Sequence, residues 1–470
     1  MKEKVTAIFD IGKTNKKLMI FNQELEVLHS EEVQFEEITD EDGDECEDVE
    51  KLEKWLLATF QKALANDTWD ITAVNVATYG ASFVNIGEDG KPVTPLYNYI
   101  KPFPEDLKQE FYDTYGSQQA FCTKTASPDL GMLNSGLQLY WLKKRRPKFF
   151  QKIKYSLHLP QYCAYLLSGK KAAEMTSIGS HTFLWDFEKG NYHKWVEAEG
   201  IAAKFPDIQP SDNSIEIEGK DHPIKCGIGV HDSSAALIPY LMNCPDPFVL
   251  LSTGTWSIAF NPFSEENLTE DHLAKDCLNY INYKGGTVKA ARLFLGNEHE
   301  FQADRLARHF QKQDDYFKTV EYDRNLFNKL AAENNHYKKF FPETMKGTGP
   351  YPQEIRGTVN LDLFDNYEEA YHQLMLDLAY LQGISIDLAI GKTDIKKMFF
   401  SGGFHNNKLF VKLLCAKYPE IEFYSASVSK ATALGAALLI NKDYKENLSF
   451  KFDLHLTDKN LDIGAYRLFE

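Results

Sequence analysis

The 470-residue sequence predicts an α/β protein built as two domains. Three observations carry that expectation. Short β-branched strands alternate with amphipathic helices along the chain. Near its middle, Cys244-Pro245-Asp246-Pro247 places two prolines where no helix can continue. Each half then opens on the same pattern of strand, small polar turn and strand: AIFDIGKTNKKLMIF near the start and FVLLSTGTWSIAF just after the break, with Gly12 and Gly254 at matching places in the two turns. The break divides the chain into a domain over 1–245, a second over 246–445, and a C-terminal extension over 446–470 with no assigned role.

Taken in order, residues 4–35 read as three strands: VTAIF, KKLMIF after a polar turn, and EVLHSEEVQF after the break at Asn22-Gln23. Ten of the fifteen residues from 36 to 50 are acidic. Asp40, Asp42 and Asp44 alternate as calcium-loop ligands do, but Gly43 precedes the third, whereas an EF-hand needs its glycine after it. The segment therefore reads as a solvated loop ahead of a helix. VEKLEKWLLATFQKALA, from residue 49, carries apolar positions at helical spacing, and ITAVNVATYG reads as a buried strand ending in a glycine turn. Residues 130–146 and 158–168 read as helices, and 204–223, with Pro206, Pro210 and Pro223, as loop. IKCGIGV then passes from strand to the helix SSAALIPYLM. Beyond residue 248 strands restart, helices dominate 292–333 and 367–391, and the strand KKMFF meets a glycine pair and the helix NNKLFVKLLCAKY. Residues 425–441 form a small-residue helix; no element is assigned to the polar final stretch.

Composition narrows the function. With 43% hydrophobic and 26% charged residues the chain can bury a core, which excludes wholesale disorder. The net charge of −16 argues against nucleic acid or an anionic membrane as the main partner, yet leaves room for one phosphate-bearing ligand held by main-chain N–H groups. Seven cysteines without a CxxC pair argue against a disulfide framework or zinc ribbon and for a reducing cytoplasm. The apolar run Val5–Phe9 is too short for a signal-peptide core, and no run suits a membrane span.

Several residues stand where chemistry could be done. Each Gly/Thr turn exposes main-chain N–H groups and hydroxyls in one direction, an anion-binding concavity, and two such tips could grip a polyphosphate from both sides. Asp10 ends the first strand. It is either a plain turn aspartate or a carboxylate that needs a divalent cation, Mg²⁺, to sit beside phosphate. Asp232, in Gly229-Val230-His231-Asp232-Ser233-Ser234, lies where strand gives way to helix; an N-cap and a general base both fit it. His231 reads as an orienting or packing residue, because no second His or Cys lies at ligand spacing. Phe400-Ser401-Gly402-Gly403-Phe404 lets a flat or anionic ligand approach the backbone. GxGxxG and GxxxxGK[ST] are both missing, which disfavours dinucleotide-binding and P-loop readings. The histidines at 299 and 309 read as parts of a charged helix face, and Ala431–Ala437 as a tightly packed helix.

In this order the motifs resemble those of the FGGY carbohydrate kinases, nearest the rhamnulokinase and fuculokinase branches. AIFDIGKTNKK resembles the first phosphate motif and VATYGASFVNIGEDGKPVTPLYNY the sugar-domain strands. LNSGLQLYWLKKRRP and LPQYCAYLLSGKKAAEMTSIGSHT resemble the two segments that follow. GIGVHDSSAAL resembles the end of the N-terminal domain, LLSTGTWSIAF the second phosphate motif, and FSGGFHNNKLF with KATALGAALL the adenosine-side motifs. The resemblance implies a two-domain, actin-like (ribonuclease-H-like) ATPase fold with an interdomain cleft, sugar bound by the first domain and ATP mainly by the second. It implies that Asp232 is catalytic and that Asp10, with Asp232, organises Mg²⁺. Gly12, Lys13, Thr14, Asn15 and Lys17 would belong to the first phosphate loop, Thr253, Gly254 and Thr255 to the second, and Gly402, Gly403 and Asn406 to the nucleoside side. Tyr79, Gly80, Ala81, His231 and Asp232 would meet the sugar. The chain departs from the family pattern at Lys13, where a small or hydroxyl residue is usual, at Tyr79, Ala81 and Ser82, at Tyr99-Ile100-Lys101, and at Gln161. These departures leave the reaction class untouched and concern the choice of sugar.

The expected reaction is ATP-dependent phosphorylation of a ketose, a 6-deoxyhexulose such as rhamnulose or fuculose, or a pentulose, at its terminal hydroxyl. Partners would be the sugar and ATP, with no nucleic acid and no membrane; a homodimer is left open. Two rivals are a non-catalytic sugar sensor on the same scaffold, which would bind sugar without making ADP, and an actin-like ATPase, which would turn over ATP without sugar.

Overall fold

The computed structural model describes residues 2–333, 336–345, 348–350, 357–426, 430–441, 452–455, 458 and 460–469. They form two compact units. The first takes the chain up to Pro245, the short piece Asn279–Thr287 and the helix near residue 435; the second takes most of the remainder.

The first unit is built on a seven-stranded sheet. β1 (Glu3–Ile11), β2 (Asn15–Phe21) and β3 (Val27–Gln34) form the expected meander. β4 (Trp69–Thr78) lies parallel to β1 on its other side. The loop expected over 204–223 contains β5 (Ser214–Ile217), an edge strand antiparallel to β6 (Ile224–Gly227). Its three prolines flank that strand and remove no ladder hydrogen bond from it. β6 and the short β7 (Val230–His231) both run parallel to β4.

Helix α1 (Val49–Leu64) starts where the Asp48 carboxylate accepts the Lys51 N–H at 2.9 Å. Leu52, Leu56, Phe60 and Ala63 fall on one stripe and are buried. They join Val5, Phe9, Val74, Val76, Leu157 and Tyr162 in a single core. Helices α2 (Gly136–Arg145) and α3 (Leu159–Ser168) come from the two predicted helical segments. Helix α4 (Asp232–Asn243) follows β7 directly.

The acidic segment is not a solvated loop. Ile38–Thr39 and Glu45–Glu47 pair as a hairpin, whose second strand pairs in turn with Leu96–Tyr97. At its closed end the buried ammonium of Lys101 reaches Asp40 and Asp44 at 2.6 Å and Asp42 at 3.0 Å. The alternating carboxylates therefore converge on a cation that the chain itself supplies.

The second unit repeats the plan. β8 (Phe248–Thr253) pairs antiparallel with β9 (Ser257–Asn261), as β1 does with β2. β10 (Cys277–Ile281) and β11 (Thr287–Leu293) extend the sheet beyond β9. β12 (Lys397–Gly402) runs parallel to β8, as β4 does to β1, and β13 (Glu422–Ala426) parallel to β12. The echo in the sequence is thus an echo of topology. β14 (Phe452–His455), in the stretch left without an assigned element, closes the far edge. Helices α5 (Leu295–His309), α6 (Tyr367–Ile390) and α7 (Lys408–Lys417) come from the predicted helical regions. On α5, His299 is not on a charged face: it is 7% exposed and lies 2.9 Å from the Tyr371 hydroxyl.

The last helix, α8 (Ala431–Ile440), lies within the stretch 246–445 yet clusters with the first unit. The Asn75 amide donates to the Ala436 carbonyl at 3.0 Å, and the Asn441 amide to the Thr6 hydroxyl at 2.6 Å. Pro239 inside α4 withholds the N–H that would meet the Ala235 carbonyl. Gly435 packs on that carbonyl, where a β-carbon would come within 1.9 Å of the oxygen. Among the described residues no helix is long and apolar enough to cross a membrane.

Gly435→Ala forces α8 away from α4 and should cost about 1–3 kcal/mol of stability. Chemical denaturation checks this; an unchanged midpoint would contradict the packing.

Candidate active site

Strand register assembles the site in the first unit. β1 and β7 flank β4 and run parallel to it. Asp10, Ala77 and Val230 stand level, and Ile11, Thr78 and His231 stand level one residue on. The carboxyl ends of three neighbouring strands therefore deliver Asp10, the turn Tyr79-Gly80-Ala81, and His231-Asp232 to one edge of the sheet. In open α/β sheets that edge is where ligands bind.

Asp10 lies opposite Lys17 across the β1–β2 pair, and the Lys17 ammonium reaches Glu32 on β3 at 3.2 Å. Burial pushes the Asp10 carboxyl up to about 6; Asp232 pushes it the same way, and Lys17 opposes them. Asp232 is also held up at about 6 by burial, against hydrogen bonds from the Ser233 N–H at 2.5 Å and hydroxyl at 3.1 Å. The N-cap reading of Asp232 does not hold: the helix begins at Asp232 itself, His231 is the capping residue, and the main-chain N–H that the carboxylate accepts is that of the adjacent Ser233. Its side chain remains about one-third exposed, at 32%.

His231 is buried, and desolvation pushes its imidazole down to about 4, so the ring is neutral at pH 7. Nε2 lies 3.2 Å from the Ser180 hydroxyl and 3.3 Å from the Asp232 carboxylate. The ring stacks on Tyr280 with a 14° tilt. A neutral ring orients Asp232 without supplying a counter-charge, which leaves the carboxylate basic. Gly80 makes room for it, because a β-carbon there would sit 2.9 Å from Nε2.

The turn after β4 is shaped by Gln138, which sequence reasoning did not single out, and by residues it did. Ala81 adopts φ +60°, and its carbonyl accepts the Gln138 amide at 2.7 Å. Tyr79 is buried with its ring 6.2 Å from that of Tyr99. Gln161 donates to the Gly229 carbonyl at 3.1 Å, two residues before His231.

At the first hairpin tip the Gly12 N–H closes the turn on the Asn15 carbonyl at 2.8 Å. The N–H groups of Lys13 and Thr14 make no hydrogen bond within the described residues and remain available to an anion. Asn15 accepts from Gln34 at 2.7 Å, so its side chain is engaged with β3. The Lys13 ammonium is turned to Glu37 and to Glu47, the latter at 3.1 Å.

In the second unit the corresponding tip follows Thr253, whose backbone pairs with both Ser257 and Gly402. The Gly254 N–H closes on the Trp256 carbonyl at 2.8 Å. The Thr253 hydroxyl donates to the Ser401 carbonyl at 2.7 Å and accepts the Phe404 N–H at 3.1 Å, tying the tip to the glycine pair Gly402-Gly403. Thr255 follows Gly254, and its carbonyl accepts the Gly296 N–H at 3.1 Å. Asn406 is exposed; its neighbour Asn407 caps α7 and donates to the Tyr371 hydroxyl at 2.9 Å.

Burial makes the Asp10 and Asp232 carboxyls reluctant to ionise, carboxylate oxygens are donors that Mg²⁺ takes, and the open amides of Lys13 and Thr14 suit phosphate oxygens. The two units, each opened by the same strand–turn–strand hairpin, form a two-domain, actin-like α/β fold. The chain belongs to the FGGY family of carbohydrate kinases. The family's N-terminal domain matches residues 5–231 and its C-terminal domain residues 245–447. It is similar to a rhamnulokinase of Halalkalibacterium halodurans, 23% identical with 91% of each chain covered. It is also similar to an L-fuculokinase of Haemophilus influenzae, 22% identical with 92% of this chain and 93% of the other covered. The fold matches that of a carbohydrate kinase from Novosphingobium aromaticivorans at TM-score 0.83 and 24% identity, covering 100% of this chain and 97% of that one. A ligand-bound xylulose kinase from Lactobacillus acidophilus matches at TM-score 0.76 and 16% identity, over 97% and 94% of the two chains. The protein is a carbohydrate kinase, a phosphotransferase with an alcohol acceptor, and uses ATP with Mg²⁺.

A carboxyl whose pKa is higher folded than unfolded binds its proton more tightly in the folded state. For Asp10, stability is therefore lost as pH rises from 3.8 to about 6 and stays lost above. Asp10→Asn should make the Mg²⁺-free protein more stable than wild type at pH 8, by roughly 1–3 kcal/mol, with the gap closing below about pH 4. Urea unfolding at both pH values checks this; a less stable variant at pH 8 would contradict the burial of that charge.

Proposed function

We propose that the protein phosphorylates the terminal hydroxyl of a ketose, a 6-deoxyhexulose such as rhamnulose or fuculose, or a pentulose, with Asp232 as general base. The observation that carries this reading is the register that sets Asp10, Tyr79-Gly80-Ala81 and His231-Asp232 on one sheet edge. The names of the rhamnulokinase, L-fuculokinase and xylulose kinase relatives support the substrate class.

The sugar would lie against Tyr79, Gly80, Ala81 and His231, its terminal hydroxyl at the exposed part of Asp232. The neutral His231 ring fixes the carboxylate, and the Ser233 groups hold its orientation while it takes the hydroxyl proton. The sugar oxygen then bonds to the γ-phosphorus as the bond to ADP breaks. Bound Mg²⁺·ATP supplies the phosphoryl group and neutralises its charge; Asp10 and Asp232 would hold the metal. Gly12, Lys13 and Thr14 would offer main-chain amides, with Asn15 and Lys17 beside them. Thr253, Gly254, Thr255, Gly402, Gly403 and Asn406 are proposed as the nucleotide-side residues of the second unit. A cytoplasmic location follows from ATP as phosphoryl donor.

ADP release measured against a panel of ketoses and polyols should show dependence on one or a few ketoses, and Asp232→Ala should lower kcat by about 10²–10⁴-fold. ADP formed at the same rate without sugar, or a near-normal rate in Asp232→Ala, would overturn the reading.

A further inference from the structure

The structure seats Lys13, at the first hairpin tip, between two carboxylates. Glu37 and Glu47 flank the paired residues Ile38 and Cys46 at the open end of the acidic hairpin, so the register holds their carboxylates side by side. The far end of the hairpin is locked by Lys101 and its three aspartates. Into this fixed fork the Lys13 ammonium projects, paired with Glu37 and with Glu47. Beneath it the fully buried Lys16 binds Glu47 at 3.2 Å and the Lys13 carbonyl at 2.7 Å, fixing the main chain from which Lys13 departs.

The four charges cancel. Lys13 therefore brings no net positive field to the hairpin tip, as a phosphate-binding lysine would. It offers instead an ammonium donor and a carboxylate acceptor next to one another. Lys13 and Glu37 are both partly open, at 26% and 29% exposure, while Glu47 and Lys16 are closed off at 5% and 1%. The open pair also faces the sugar side. The Lys13 ammonium lies 6.0 Å from the Tyr99 ring, which packs on Tyr79, and Asn98 donates to Glu37 at 3.1 Å.

We propose that Lys13 and Glu37 are specificity-determining residues for the sugar: the ammonium donates to one hydroxyl of the ketose and the carboxylate accepts from its neighbour. This rests on the ketose-kinase reading above. A neutral donor–acceptor pair matches a vicinal diol, while the nearby carboxylates of Asp10, Asp232 and Glu47 disfavour sugar acids. A polar pair engaged by two hydroxyls also disfavours an analogue that lacks one, because one of its groups then loses that partner.

The test is steady-state kinetics of wild type, Lys13→Met, Glu37→Gln and Lys13→Arg. The substrates are the best ketose of the panel and analogues deoxygenated or epimerised at a non-reacting hydroxyl. Lys13→Met and Glu37→Gln should each raise the ketose KM by about tenfold or more and shrink the discrimination against one deoxy analogue. The KM for ATP should stay within about twofold, and Lys13→Arg should retain most of the discrimination. A raised KM for ATP with an unchanged ketose KM would make Lys13 a phosphate ligand and overturn the proposal. Unchanged discrimination would reduce the pair to a structural clamp and overturn it equally. If Lys13→Met does not fold, Glu37→Gln carries the same prediction alone. Wild type that forms no ADP with any ketose would instead remove the ketose-kinase reading, and this proposal with it.

Discussion

Asp10 and Asp232 are brought to one sheet edge where burial penalises their charge, and the proposed chemistry depends on that constraint. Each would be more comfortable protonated or in water. The sheet positions them because β1 carries Asp10 and β7 leads directly into Asp232, and both strands pair with β4 in fixed parallel register. Burial raises both carboxyls toward the protonated form, and a cation beside them would offset that cost.

Neighbouring side chains do little to offset that burial. Lys17 is drawn toward Glu32, which limits its relief of Asp10. His231, the nearest group that could have become a counter-ion to Asp232, is kept neutral by its own burial. Lys13 and Lys16 are spent on Glu37 and Glu47. Three lysines lie in or beside the first hairpin, yet each is matched to a carboxylate of the meander or the acidic hairpin. The free positive partial charges at this tip are main-chain amides.

Much of the fold was legible in the sequence because its signals are local. β1 and β2 read clearly as apolar β-branched runs, α1 as a stripe at helical spacing, and the paired opening motifs as two versions of one hairpin. β5 was hidden among prolines that flank it, and its half-exposed alternation is weak. The acidic hairpin was missed for a different reason: Asp40, Asp42 and Asp44 gain their meaning only from Lys101, about sixty residues on, and such pairing leaves no trace in local composition. Asp10 and Asp232 were found because an aspartate at a strand end is conspicuous. That they belong to neighbouring edges follows only from both strands pairing with β4. Gln138 and Ser180, which shape the turn and orient His231, lie on segments that read simply as helix or loop. The helix α8 was recognised as small-residue packing, but its partner, the proline-freed carbonyl of Ala235, could be named only from the structure.

The most direct measurement of this account is the pH dependence of kcat/KM for the preferred ketose between about pH 5 and 8, in wild type and in Asp232→Asn. Asp232 must be ionised to accept the hydroxyl proton and burial raises its carboxyl, so wild type should lose activity along an acid limb as pH falls toward about 5. The residual activity of the variant should lack the Asp232 contribution to that limb. A wild-type profile that stays flat down to pH 5, or a limb that survives unchanged in Asp232→Asn, would contradict it.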